Sequence, residues 1–294
     1  MERKNALPMI KLCSSMAIFG TIGIFVKNLT LPSGFLVFLR ASIGFLFLLP
    51  FVIFRRDKNT LTSIKANLLP LILSGAALGV NWVLLFEAYR YTDVSIATLC
   101  YYLAPVFIVL LSPVVLRERL TVQKIIGVSV ALCGMVFVSG VFSGVGAVAP
   151  LGILFGVLAA CLYATVVFIN KRIRNVNAYD KTAFQFGISL FITLPYSLFT
   201  EKLSADMFNT RSIILILTVG IIHTGVAYVL YFSSLKDVSA HTAAIFSYID
   251  PILALILSFL ILKETMGVFE AIGAILVLGG AFLSEIKLES RTKR

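Results

Sequence analysis

Charge is scarce in this chain: Asp, Glu, Lys and Arg make up only 13% of its 294 residues. Histidine is scarcer still, with His223 and His241 the two present, which makes a multi-histidine metal centre improbable. The four cysteines, Cys13, Cys100, Cys133 and Cys161, all lie inside apolar stretches without metal-ligand spacing. They read as small reduced core residues, and no metal or cofactor is expected. The chain also lacks an H-E-x-x-H motif, a nucleophile elbow and a Walker loop, the patterns that carry zinc-protease, hydrolase and nucleotide chemistry. An intramembrane aspartyl protease needs two deep aspartates, and only Asp250 lies deep in an apolar run. Nothing here reads as an enzyme.

What the chain has in excess is apolar surface. Hydrophobic residues account for 59% of it, and its mean hydropathy is +1.00. A soluble domain of this size could not bury so much, whereas long apolar runs with few charges read as membrane spans. The net charge of +11 sits in short loops between those runs. That placement reports topology, not a nucleic-acid stripe, so the expected partners are the lipid bilayer and a small-molecule substrate. A spanning helix needs about 20 apolar residues. A window of that length gives ten segments: 7–27, 34–54, 68–91, 93–116, 121–141, 150–170, 179–200, 211–235, 238–262 and 266–286. The start, MERKNALPMIKL, has no small-residue cleavage site after it and is expected to lead into a retained first span.

The basic residues divide unevenly between the two sets of loops. Nineteen fall on the side of both termini and five on the other (Lys27, Arg90, Lys202, Arg211 and Lys263), with Arg40 inside a span. Basic loops stay in the cytoplasm. The expectation is a multi-pass protein of the plasma membrane, or of the inner membrane in a cell that has two, with cytoplasmic termini and residues 287–294 as a cytoplasmic tail.

The chain also writes one pattern twice. Residues 105–138 and 251–284 align without a gap at an offset of 146 and share ten identities. Each copy is preceded by Asp-Val-Ser, at Asp93 and at Asp237, and each passes a tyrosine, Tyr102 or Tyr248, three residues before its proline. Arg40 matches Gln185 and Pro50 matches Pro195 at an offset of 145, as Gly75 matches Gly220. Two units follow, 1–141 and 150–286. Five spans is an odd number, so the second unit enters the membrane inverted, which is the pattern of secondary transporters with a midplane site between the repeats. The fold class is thus an all-α integral membrane protein of ten transmembrane helices in two inverted five-helix repeats.

A proline in mid-helix, then Glu118 or Glu264 at the helix end, then paired glycines (Gly127 and Gly134, Gly273 and Gly280) resembles the EamA family of the drug/metabolite transporter superfamily. Arg40 matches the usual family position, while the frequent Trp-Gly of the first helix stands here as Phe19-Gly20. The resemblance implies a central cavity lined by helices 1–4 and 6–9. It also implies export of amino acids or related metabolites by alternating access, with proton coupling or uncoupled flux both open.

Polar groups deep in a span are the candidates for chemistry. Asp250 lies about 18 Å into the ninth span, followed by Pro251, which frees a carbonyl and bends the helix; Pro105 does the same in the first repeat, where Ala104 replaces the acid. An acid held there is a candidate proton carrier. His223, about 17 Å into the eighth span, could form a relay with it. Arg40 and Glu87, near the outer ends of spans 2 and 3, are a second candidate pair, for a gate or for a substrate carboxylate. Asn81, Trp82, Phe86, Tyr101, Tyr102, Tyr228, Phe246 and Tyr248 supply aromatic and polar lining suited to a small amphipathic solute. Glu118 and Glu264, at helix ends, are expected to cap or tie a short turn to the next helix. Gly75 and Gly79, like Gly152 and Gly156, have the spacing of close helix contacts. Spans 5 and 10, rich in small residues, are a candidate homodimer seam.

Overall fold

The computed structural model describes residues 6–54, 60–115, 120–138, 150–234, 237–238 and 246–285. Within them every regular element is helical. That outcome follows from the sequence, since a backbone in apolar surroundings must satisfy its own hydrogen bonds. Helix starts are marked locally. Proline stands in the first turn of α1 (Leu7–Lys27) and opens α8 (Pro150–Arg172), where no N–H is needed. Asn177 caps α9 (Ala178–Thr200) by accepting from the Tyr179 amide at 3.1 Å. Asn209 caps α10 (Thr210–Thr218) through the Ser212 amide at 2.9 Å.

The remaining elements are α2 (Ser33–Phe54), a short α3 (Thr60–Ala66), α4 (Leu68–Tyr91), α5 (Val94–Tyr101), α6 (Ala104–Val115), α7 (Val122–Val138), α11 (Ala227–Ser234), α12 (Ile249–Leu257) and α13 (Val268–Glu285). A π-helical stretch, Val219–Val226, joins α10 to α11, and a second, Ser258–Leu262, extends α12. Seven segments are long and apolar enough to cross a membrane: α1, α2, α4, Val94–Val115, α8, α9 and Thr210–Ser234. Three shorter apolar helices, Val122–Val138, Ile249–Leu262 and Val268–Ser284, accompany them. Arg117, Glu118, His241 and the 287–294 tail lie outside the described residues.

Two of these spans depart from a plain α-helix. The fourth expected span is interrupted at Tyr102–Leu103, just before Pro105, where the Leu103 amide bonds only as far back as Cys100. The eighth carries the π stretch, whereas α4, at the matching place in the first half, is α-helical throughout.

Packing follows the small residues. The paired glycines of α7 and α13 meet: a Cβ on Gly127 would lie 2.6 Å from the Gly280 carbonyl oxygen, and one on Gly134 would lie 2.8 Å from that of Gly273. The numbers rise on one helix as they fall on the other, so α7 and α13 run antiparallel. The paired glycine faces of these two helices are thus covered by each other within one chain. Gly75 and Gly79 of α4 face Gln185, Ile188 and Ser189 of α9, and these two helices run parallel. In the same way Gly220 and Gly225 of the π stretch face Ile43 and Phe47 of α2, also in parallel. Helix α1 packs on α11 and α12, and α8 packs on α4, α5 and α6. Exchanging each helix of the first half for its counterpart in the second leaves these pairings in place.

Candidate functional site

The break at Tyr102 in the fourth expected span meets a second break, at Tyr248 in the ninth. Tyr102 ends α5, Tyr248 precedes α12, and their rings stand 6.4 Å apart. Asp250 lies in the first turn of α12. The Tyr102 hydroxyl donates to the Ser247 carbonyl at 3.3 Å, with the Asp250 carboxyl group close by. Helix α1 closes over this junction through Gly20, where a Cβ would lie 2.6 Å from the Asp250 carbonyl oxygen. A glycine at this place lets a helix sit against the polar backbone of the break. Tyr102, Tyr248 and Asp250 are therefore brought together.

Arg40 belongs to a neighbouring group. It is 4% exposed, its Nε donates to Thr224 Oγ1 at 2.8 Å, and its guanidinium lies 4.1 Å from the Trp82 ring centre. Phe86 flanks it at 5.5 Å. Trp82 packs on Phe186, Phe186 on Tyr228 and Tyr228 on Phe19, at 5.2–5.4 Å between ring centres. This aromatic wall carries the site from Arg40 to α1. Asn81 ties helices together: it donates to the Ala159 carbonyl of α8 at 2.5 Å and its Oδ1 is 3.5 Å from the Tyr101 hydroxyl.

Two expected pairs are not made. His223 does not meet Asp250. Its Nε2 is 2.8 Å from Thr21 Oγ1, its Nδ1 is 3.3 Å from the Thr218 carbonyl, and its ring packs on Phe25 at 4.8 Å. The Thr21 hydroxyl also lies 2.7 Å from the Ile18 carbonyl of its own helix. The cause of the mismatch is the π stretch, whose wider turn directs His223 toward α1. Arg40 and Glu87 do not pair either. Glu87 bonds Arg90 one turn along its own helix at 3.0 Å, with Arg90 54% exposed. Exposed pairs of this type contribute little. Glu87→Gln is accordingly expected to change stability by less than about 0.5 kcal/mol in thermal unfolding of the purified protein.

Glu264 is a cap, as expected of it, but of a distant helix and not of the turn beside it: it reaches across to the first half and caps α5. It accepts from the Val94 amide at 2.8 Å, the Ser95 amide at 3.1 Å and the Ser95 hydroxyl at 2.9 Å. Lys263 takes a left-handed conformation (φ 56°) that turns the chain toward this contact. Glu201, unremarked in the sequence, does the same for α2 through the Gly34 and Phe35 amides at 2.7 and 2.9 Å. Lys27 satisfies the end of α4, donating to the Tyr89 and Thr92 carbonyls at 2.7 and 2.8 Å. These charges match the helix dipoles, anions at starts and a cation at an end. Thr224 and Phe186 were also missed; a hydroxyl in mid-span beside His223 was the available signal for the first, and Phe186 carried none.

The EamA-like transporter family model matches residues 7–140 and again 150–286. The chain belongs to that family. It is 31% identical over 293 residues to the uncharacterized transporter YxxF of Bacillus subtilis (strain 168), covering 99% of this chain and 93% of that one. Protein PecM of Dickeya dadantii (strain 3937) is 23% identical over 227 residues, 76% of this chain and 75% of PecM. A solved crystal structure superposes with a TM-score of 0.68 at 19% identity, covering 94% and 96% of the two chains, and shows the shared fold. The protein is a multi-pass membrane transporter of the EamA-like family and not an enzyme.

Proposed function

We propose that this EamA-like protein is a ten-span secondary transporter built from two inverted five-helix repeats, 1–141 and 150–286. In this reading it exports amino acids or related small metabolites by alternating access around the meeting of the two interrupted helices, with both termini in the cytoplasm and the plasma membrane as its site. Helix direction supports the inversion. Two repeats of the same orientation would set the second helix of one antiparallel to the third helix of the other, and here α2 runs parallel to the Thr210–Ser234 segment. The observation that carries the mechanism is the Tyr102–Tyr248–Asp250 junction, where interrupted backbone, a carboxyl group and a phenol meet between the halves. Broken helices at a repeat interface are where transporters place substrate and coupling ions.

Asp250 is the proposed proton carrier, with Tyr102 holding it in place; Ala104 at the matching position of the first repeat leaves one such group per chain. The test is flux in proteoliposomes containing an internal pH dye, challenged with amino acids and related metabolites. Solute-dependent proton movement is expected in the wild type and is expected to vanish in Asp250→Asn. Solute flux unaccompanied by proton movement in the wild type would make the protein a facilitator and reduce Asp250 to a structural group.

A further inference from the structure

Arg40 is a buried cation with no anion paired to it among the described residues. Its one hydrogen bond among the described residues is from Nε to the neutral Thr224 hydroxyl, and the terminal nitrogens of the guanidinium have no protein partner there. The single ion pair among those residues is Glu87–Arg90. A guanidinium offers five N–H donors, and a buried charge whose partner is missing is strongly destabilising. Stacking on Trp82 and Phe86 offsets part of that cost but accepts no hydrogen bond in the plane of the fork.

The second repeat supplies an internal comparison. Gln185 occupies the position matched to Arg40, and the helix contacts around the two agree: Ile43 meets Gly220 as Ile188 meets Gly75. Gln185 donates to Ser74 Oγ and Asn170 Oδ1, both at 2.7 Å. The fold therefore needs a hydrogen-bonded tie between these helices and not a charge. On the Arg40 side, Thr224 gives its own proton to the Val219 carbonyl at 2.9 Å, a bond made possible by the π turn. Its oxygen is thereby left to accept from Nε, and the tie uses only the inner edge of the guanidinium.

We infer that Arg40 is the anion-binding group of the central site and takes the carboxylate of the transported solute on its terminal nitrogens. The inference rests on the transport reading above. A planar fork matches a carboxylate in bidentate geometry. The surrounding Trp82, Phe86, Phe186 and Tyr228 provide the wall for an apolar or aromatic body. The substrate class is a small carboxylate with a hydrophobic side group.

The test measures competition for saturable flux in proteoliposomes by two matched series. One is leucine, leucinamide, isoamylamine and 4-methylpentanoate; the other is phenylalanine, phenylalaninamide, phenethylamine and 3-phenylpropionate. Members bearing a carboxylate are expected to compete about thirtyfold or more better than their amides or amines. Arg40→Gln, which copies Gln185, is expected to lose that preference, and Arg40→Lys to keep part of it. Saturable flux without a carboxylate preference, or a preference undiminished in a folded Arg40→Gln, overturns the assignment and leaves transport standing. No saturable flux in either series overturns both. Should Arg40→Gln fail to fold, the wild-type series decides the matter by itself.

Discussion

Glu264→Ala is expected to lower the stability of the detergent-solubilised protein by about 3 kcal/mol. Glu264 is 9% exposed, and its removal leaves the Val94 and Ser95 amides at the start of α5 without their acceptor. Each orphaned buried donor costs about 1–3 kcal/mol. Neighbouring water recovers part of the sum. Ser95→Ala removes only the hydroxyl bond and is expected to cost about 1 kcal/mol. Glu264→Gln retains one acceptor oxygen but turns an amide NH2 toward N–H groups, so it should fall close to the alanine variant. Thermal unfolding followed by intrinsic fluorescence reads all three. A Glu264→Ala protein as stable as the wild type would show that the cap is not a stabilising contact.

Two adjacent glycines of α13 are expected to respond with opposite signs. Gly280 lies in the seam with α7, where a Cβ would stand 2.5 Å from the Gly127 carbonyl oxygen and closer still to the Ala131 amide. Both atoms belong to backbone and cannot swing aside, so Gly280→Ala must push the helices apart. Overpacking of this kind costs about 1–3 kcal/mol, and Gly280→Leu is expected to exceed that range. A Cβ on Gly279 has nothing within 4 Å. Gly279→Ala then removes only the conformational freedom of glycine and is expected to stabilise the helix by about 0.5–1 kcal/mol. Melting temperatures of the two single variants decide it; a fall in both, or a rise in both, contradicts the seam.

Much of the scaffold could be read from the chain because its signals are local. Segment limits expected at 7–27, 68–91 and 179–200 lie within one residue of α1, α4 and α9, since apolar run length is set by what a helix must bury. The glycines of α7 and α13 announced a close contact by their spacing, but not that each helix is the other's partner. Side chains that act at a distance were harder to place. Glu264 sits beside Lys263 in sequence and bonds residues 169 and 170 positions away, so adjacency suggested the wrong helix. The π stretch has no compositional mark that separates it from α-helix. The relay rested on the similar depth of His223 and Asp250 in their spans, and depth says nothing of the direction in which the wider turn points His223, toward Thr21. Arg40 was suspect for its charge, but that no carboxylate among the described residues pairs with it appears only from its neighbours in space.

The α7–α13 seam reads the same from either side: Gly127 meets Gly280 and Gly134 meets Gly273, while the repeat makes Gly127 the equivalent of Gly273 and Gly134 that of Gly280. Such reciprocity is the signature of a two-fold interface between identical subunits. A single five-helix unit inserted in both orientations would make this seam with a second copy of itself. Joining two such units in one chain frees them to differ: Arg40 stands against Gln185 and Asp250 against Ala104, so that each half brings one ionisable group that the other lacks at that position.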